Sequence, residues 1–250
     1  MSFVRVVRRG PASWAILDRP ERGNALGPEI ADELAAWVEE APREPGVSCL
    51  VLGAAGTAFC AGADVKASQA MVGRPEERRA FFDRVDALLA SFGRVPVPVV
   101  AAVDGVAYAG GLELVLACDL VVAGPGARFG DLHLKHGRIP AWGGAARLTG
   151  ALGPWRAAAA LLLPQVRTGA EMLQAGLVSA VSEADRLEVD VQAMAEHFAT
   201  LEPGALRAMK RLVADQRDLA LGPLLVRNKE HFDAFLAGPE MQAPPPGLGA

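Results

Sequence analysis

Cysteine, tyrosine and surplus positive charge are all scarce in this 250-residue chain, and each shortage excludes something. Its three cysteines, Cys49, Cys60 and Cys118, have neither metal-ligand nor disulfide-framework spacing. Each lies in an apolar stretch, which reads as a buried thiol in a reducing compartment, by default the cytoplasm. Lysine and arginine number 25 against 29 acidic residues, a net charge of −4. That balance argues against duplex nucleic acid as a partner, and no basic stripe interleaved with aromatics suggests a single strand. It leaves room for a local basic pocket that takes a phosphorylated small molecule. No apolar run reaches the roughly 18 residues of a membrane helix. The longest candidate, Val95 to Leu116, is interrupted by Pro96, Pro98, Asp104, three glycines and Glu113. The basic start, Met1 to Gly10, lacks the apolar core of a secretory signal. Twenty-seven glycines without a triplet period exclude collagen, and 51% hydrophobic residues exclude wholesale disorder. No strong internal repeat is present.

What is present is an alternation. Residues 2–8 and 12–18 read as a β-hairpin about Gly10-Pro11. A helix opens at Pro28 and carries Ile30, Leu34, Trp37 and Val38 at helical spacing. Strands are expected at 47–52, 95–103 and 120–123. A charged helix bears the stripe Phe81, Val85, Leu88, Leu89 and Phe92, and a short helix covers 112–118. Strand, loop and helix in repeated order imply an α/β fold with parallel strands and right-handed crossovers. After Ala145 the pattern turns helical, over 145–152, 154–163, 168–175, 184–200, 203–216 and 219–236. The last residues, 238–250, are rich in proline and glycine and read as a mobile tail.

Three segments could carry chemistry. In the first, Ala58 to Lys66, small residues after a strand let a ligand approach the backbone, with Asp64 as an N-cap. In the second, Val106 to Glu113, Gly110 and Gly111 open a helix whose exposed N–H groups favour negative charge. They form either an oxyanion site or a tight packing contact. Glu113 follows in the first turn of an apolar helix. Desolvation there would raise its pKa and suit it to acid–base work; dipole compensation is the plainer alternative. The third segment runs from Phe129 to Gly144. His133 and His136 stand three apart without a matching third ligand, so a metal is not expected. Lys135 and Arg138 read as solvated charges, Asp131 as a turn or cap residue, and Trp142 as a packing aromatic or pocket wall.

Taken together, these segments resemble the crotonase, or enoyl-CoA hydratase/isomerase, superfamily. Asn24-Ala25-Leu26, Ala58 to Lys66, Pro98 to Asp119, Phe129 to Leu148 and Thr168 to Val178 follow its motifs in order. The resemblance implies a spiral of stacked ββα units over residues 1–181, with a helical trimerisation region over 182–237. It implies an acyl-CoA thioester as substrate, a homotrimer or a dimer of trimers, and no cofactor beyond the CoA the substrate carries. The thioester oxygen would be held by the N–H groups of Ala63 and Gly110. CoA would lie against Ala61, Asp64, Lys66 and Arg22. The acyl pocket is expected around Trp142, Tyr108 and Asp131.

Hydratases of the family use two glutamates. The first matches Glu113. The second falls on His133, because the family's Phe-Gly-Gln-Pro-Glu is here Phe-Gly-Asp-Leu-His. Imidazole changes charge, reach and working pKa. Hydration or dehydration of a 2-enoyl-CoA is the expected reaction. The alternatives are double-bond isomerisation, hydrolysis of a CoA ester or β-diketone by His133-activated water, and a CoA-ester-binding pseudoenzyme. Some β-diketone hydrolases of the superfamily place a histidine in this region, but they carry an additional acid where this chain has Trp142.

Overall fold

In a computed structural model that describes residues 2–71 and 73–218, two sheets are stacked by a chain that moves repeatedly from one to the other. The larger sheet has the order β1 (Val4–Arg9), β2 (Ala12–Leu17), β3 (Cys49–Ala54), β5 (Val99–Val103), β7 (Leu120–Ala123) and β10 (Ala180–Val181). The smaller has β4 (Ala58–Cys60), β6 (Val106–Tyr108), β8 (Arg128–Gly130) and β9 (Arg167–Thr168). Apart from the β1–β2 hairpin and the β8–β9 pair, neighbouring strands are parallel, as the alternation implied.

The helices are α1 (Pro28–Glu40), α2 (Val65–Ala70), α3 (Pro75–Arg94), α4 (Gly110–Ala117), α5 (Gly144–Leu152), α6 (Pro154–Leu162), α7 (Gly169–Ala175), α8 (Leu187–Thr200) and α9 (Pro203–Asp218). Helix α1 starts on its proline and buries Ile30, Leu34, Trp37 and Val38. Helix α3 buries the expected stripe of Phe81, Val85, Leu88, Leu89 and Phe92. In α7, Thr168 and Glu171 form a reciprocal capping box.

Strand periodicity divides the core. Ala15 and Leu17 of β2, with Leu50, Leu52, Val99 and Ala101, face α1, α3 and α4. Trp14, Ile16, Val51, Val100 and Val122 face the other way and are covered by Val191 and Ala195 of α8. Each large side chain buried in this way contributes about 1.5–3 kcal/mol. Helix α8 therefore packs directly on the sheet of the α/β region. Helix α9 is tied to the same core by Lys210, whose Nζ donates to Asp119 at 2.6 Å and to the Phe92 carbonyl at 2.8 Å.

Several expectations are corrected. The segments Ala58 to Lys66 and Val106 to Glu113 each open on a short strand that was not expected, β4 and β6. Three residues of strand leave little alternation to read. Residues 95–98 are not strand, because Pro96 and Pro98 cannot donate to a ladder. Helix α4 begins at Gly110, two residues before its expected start. The helical half also contributes the two-residue strands β9 and β10. The expected helix at 219–236 and the tail at 238–250 lie outside the described residues.

Candidate active site

The small sheet positions the site. Strands β4, β6 and β8 are parallel neighbours, so their C-terminal ends lie side by side. Each hands over to one of the three segments singled out in the sequence. Ligands collect at such strand ends in α/β folds.

The first two segments meet through backbone. A Cβ on Gly62 would lie 3.6 Å from the Gly110 nitrogen, and one on Gly110 would lie 3.3 Å from the Ala63 nitrogen. The Ala63 and Gly110 nitrogens thus lie close together, and among the described residues neither has a protein acceptor. Gly111 keeps the loops in register, because a side chain there would collide with the Cys60 carbonyl. The turn before α4 is held in an unusual conformation. Ala109 has φ 48° and ψ −116°, a region that favours glycine. This sharp reversal carries the chain from β6 into α4 and sets the direction of the 109–110 peptide.

Glu113 is 1% exposed. Its Oε1 accepts from the backbone N–H groups of Trp142 and Gly144, each at 2.8 Å. Gly144 must be glycine for this approach, since a Cβ there would sit 2.9 Å from the carboxylate. The other oxygen, Oε2, is buried without a hydrogen-bond partner and lies 3.7 Å from His133 Nε2. On the far side of the imidazole, Nδ1 lies 3.0 and 3.1 Å from the two oxygens of Asp131. Asp131, His133 and Glu113 therefore form one line from β8 to α4.

Their protonation follows from these contacts. Burial drives the Glu113 pKa upward, against the two N–H donors and His133, and Asp131 adds to the rise. For His133 burial opposes the charged form, but the hydrogen bond and charge of Asp131, with Glu113, lift its pKa above the ordinary value. Both shifts run toward keeping a proton on the pair.

The other expected residues fall as follows. Trp142 is buried, edge-on to Phe81 at 6.1 Å and tilted against Phe82 at 5.6 Å. The Cζ3 edge of its ring lies over Gly110, so it fills the space between α3 and the start of α4. Tyr108 is half-buried at the end of β6, opposite Gly130. Asp64 caps α2 by accepting from the Lys66 and Ala67 N–H groups, and pairs with Arg19 at 2.7 Å. Burial would raise its pKa, but these N–H donors and Arg19 hold it below the usual range. A carboxylate offers phosphate no donor, so Asp64 can serve a CoA site only through the loop that it caps. Ala61, Lys66 and Arg22 are exposed, and the Ala61 N–H donates to the Gly23 carbonyl next to Arg22. Asn24, with φ 52°, is a structural tie that sequence reading left as a motif letter. Its Nδ2 donates to the Ala55 and Ala58 carbonyls, and its Oδ1 accepts from Arg19 N–H. The three cysteines are buried and free, and burial pushes the Cys60 thiol up to about 11. Lys135 and Arg138 are exposed, as expected for solvated charges, and His136 is exposed too. Among the described residues no cluster suited to a metal ion occurs, and no helix is long and apolar enough to cross a membrane.

The family model for enoyl-CoA hydratase/isomerase matches residues 15–245. This chain belongs to that family. It is 32% identical over 221 residues to a "Probable enoyl-CoA hydratase" of Mycobacterium bovis, covering 88% of this chain and 84% of that protein. A Rhizobium meliloti protein of the same description is 32% identical over 239 residues, 93% of this chain and 89% of the relative. The crystal structure of an enoyl-CoA hydratase from Bacillus anthracis superposes with a TM-score of 0.88 at 27% identity, covering 96% of this chain and 93% of that one. Membership confirms the crotonase fold and makes this a chain of an enzyme family of lyases and isomerases.

Proposed function

We propose that this protein hydrates a 2-enoyl-CoA thioester, reversibly, with Glu113 and His133 as its acid–base pair. The observation that carries the reading is the orphaned Glu113 Oε2, 3.7 Å from His133 Nε2 and reached from the same strand ends as the Ala63 and Gly110 N–H groups. That separation is too long for a direct hydrogen bond and short enough for one water oxygen to reach both groups. Water adds at the β-carbon as negative charge develops on the thioester oxygen. Two preorganised N–H donors stabilise that enolate, an effect worth about 10²–10³-fold per donor in comparable sites. The relatives named for enoyl-CoA hydration support the same reaction.

Ala61, Lys66 and Arg22 are the proposed CoA contacts, with Asp64 holding the loop. Trp142 and Tyr108 are the proposed walls of the acyl pocket. The reaction needs no metal and no redox cofactor, since CoA arrives with the substrate. The buried free thiols fit a reducing compartment, and the cytoplasm is the proposed one. A trimer or a dimer of trimers is proposed for the assembly. It is supported by a strongly apolar exposed surface on and after α6, where Trp155, Leu162 and Leu163 are 87%, 69% and 62% exposed.

The test is incubation of the purified protein with 2-enoyl, 3-enoyl, 3-hydroxyacyl and β-keto thioesters, followed by mass spectrometry. Gain or loss of one water supports the proposal. An isomer of unchanged mass, released free acid, or binding without conversion would each replace it with one of the alternative reactions or with a pseudoenzyme.

A further inference from the structure

Asp131 has no evident part in a reaction that two side chains could run, yet it is 3% exposed and touches the imidazole at Nδ1. It also accepts from the His133 backbone N–H at 3.3 Å, which would make it an ordinary turn residue. The turn needs one acceptor oxygen. It does not need a charge, and burying a carboxylate costs free energy unless its charge is used. Two charged groups meet the ring among the described residues, Asp131 from its own turn and Glu113 from α4. Lys135, His136 and Arg138 lie on the same segment and are exposed.

We infer that Asp131 is a positioning residue that fixes His133 with Nε2 toward the reacting atoms and holds it as the proton donor, which leaves Glu113 as the base. This division of roles rests on the hydratase reading. Glu113 Oε2 takes a proton from water as the water oxygen bonds to the β-carbon. The double-bond electrons move onto the thioester oxygen as an enolate, held by the Ala63 and Gly110 N–H groups. The enolate collapses as its α-carbon takes the proton from His133 Nε2. Glu113 is then protonated and His133 neutral. Transfer of that proton from Oε2 to Nε2, through one water, restores the starting state.

The test is the pH dependence of kcat/KM for crotonyl-CoA in wild type and Asp131→Asn. Asparagine keeps an acceptor for the turn and removes the charge. Because the donor must be protonated, wild-type activity falls as pH rises through the upper apparent pKa of the pair. The variant is expected to lose at least about tenfold in rate and to move that upper limb down by about one pH unit or more. Asp131→Glu is expected to restore part of both. Nitrogen-15 NMR of the histidine side chains, with His133→Gln to identify the signal, reads the coupling without turnover, and the His133 pKa is expected to fall in Asp131→Asn. A uniform loss of rate with the limb unmoved would overturn the inference, as would an unchanged His133 pKa. If wild type hydrates nothing while the NMR shift appears, the reaction is wrong and the positioning role stands.

Discussion

The site has two halves made in different ways. One is backbone, the Ala63 and Gly110 N–H groups at the ends of β4 and β6. The other is side chain, the line from Asp131 through His133 to Glu113. In the proposed reading the backbone half keeps what the family resemblance implies, since N–H groups need only strand ends, small residues and a helix start. In that reading the side-chain half departs from the resemblance at residue 133. A fold can keep the means of stabilising an oxyanion while changing how protons move, because the first is set by main-chain path and the second by a few exchangeable side chains.

The sharpest way to break this comparison is to remove the chemistry of Glu113 without disturbing the backbone around it. Glu113→Gln keeps an oxygen for the Trp142 and Gly144 N–H groups. Steady-state kinetics on crotonyl-CoA are expected to show kcat lower by about 10²–10⁴-fold with KM little changed. Full turnover would remove Glu113 from the mechanism. A smaller and more discriminating effect concerns residue 133. His133→Glu alone sets a third carboxylate beside Asp131 and Glu113, where like charges oppose ionisation. The double change Asp131→Gln with His133→Glu restores the family-like pair, and is expected to exceed the single variant by at least about tenfold in kcat/KM, a difference of about 1.4 kcal/mol.

Trp142 tests whether the substituted half also sets substrate size. Its ring fills the space beside Gly110 and against Phe81 and Phe82. Trp142→Ala is expected to raise the ratio of kcat/KM for a long enoyl-CoA over crotonyl-CoA by about tenfold, within the range that a few methylenes supply. An unchanged chain-length profile would reduce Trp142 to a packing aromatic. The smallest expected effect lies in the backbone half. Ala109→Gly relieves the left-handed strain, so calorimetry should show stabilisation of about 1 kcal/mol, or about 2–4 °C in Tm. Kinetics should stay within a few-fold of wild type if Gly110 N–H keeps its direction. Loss of oxyanion binding instead would mean that the strained Ala109 is what aims it.

Much of this was legible in the sequence where a residue type has one physical use. Pro28 opened α1, and the Phe81 to Phe92 stripe marked α3. The resemblance brought Glu113 and His133 together across 20 residues of chain. Other features were silent because their meaning is tertiary. Asp131 reads as a cap until the imidazole is seen behind it. Nothing in the sequence singles out Lys210, yet it is buried against Asp119. Strands β4, β6 and β8 are three residues each, too short for periodicity, although they are what sets the three segments side by side. The strain at Ala109 is likewise invisible, since alanine carries no turn signal.

The central claim is that a glutamate and a histidine here do the work of two carboxylates on a thioester held by backbone. The most direct measurement follows crotonyl-CoA by mass spectrometry with wild type, Glu113→Gln and His133→Gln under identical conditions. Wild type should add one water, and both variants should lose at least about 100-fold in rate while still binding the CoA ester. Hydration by His133→Gln at the wild-type rate would contradict the claim, as would free acid as the wild-type product.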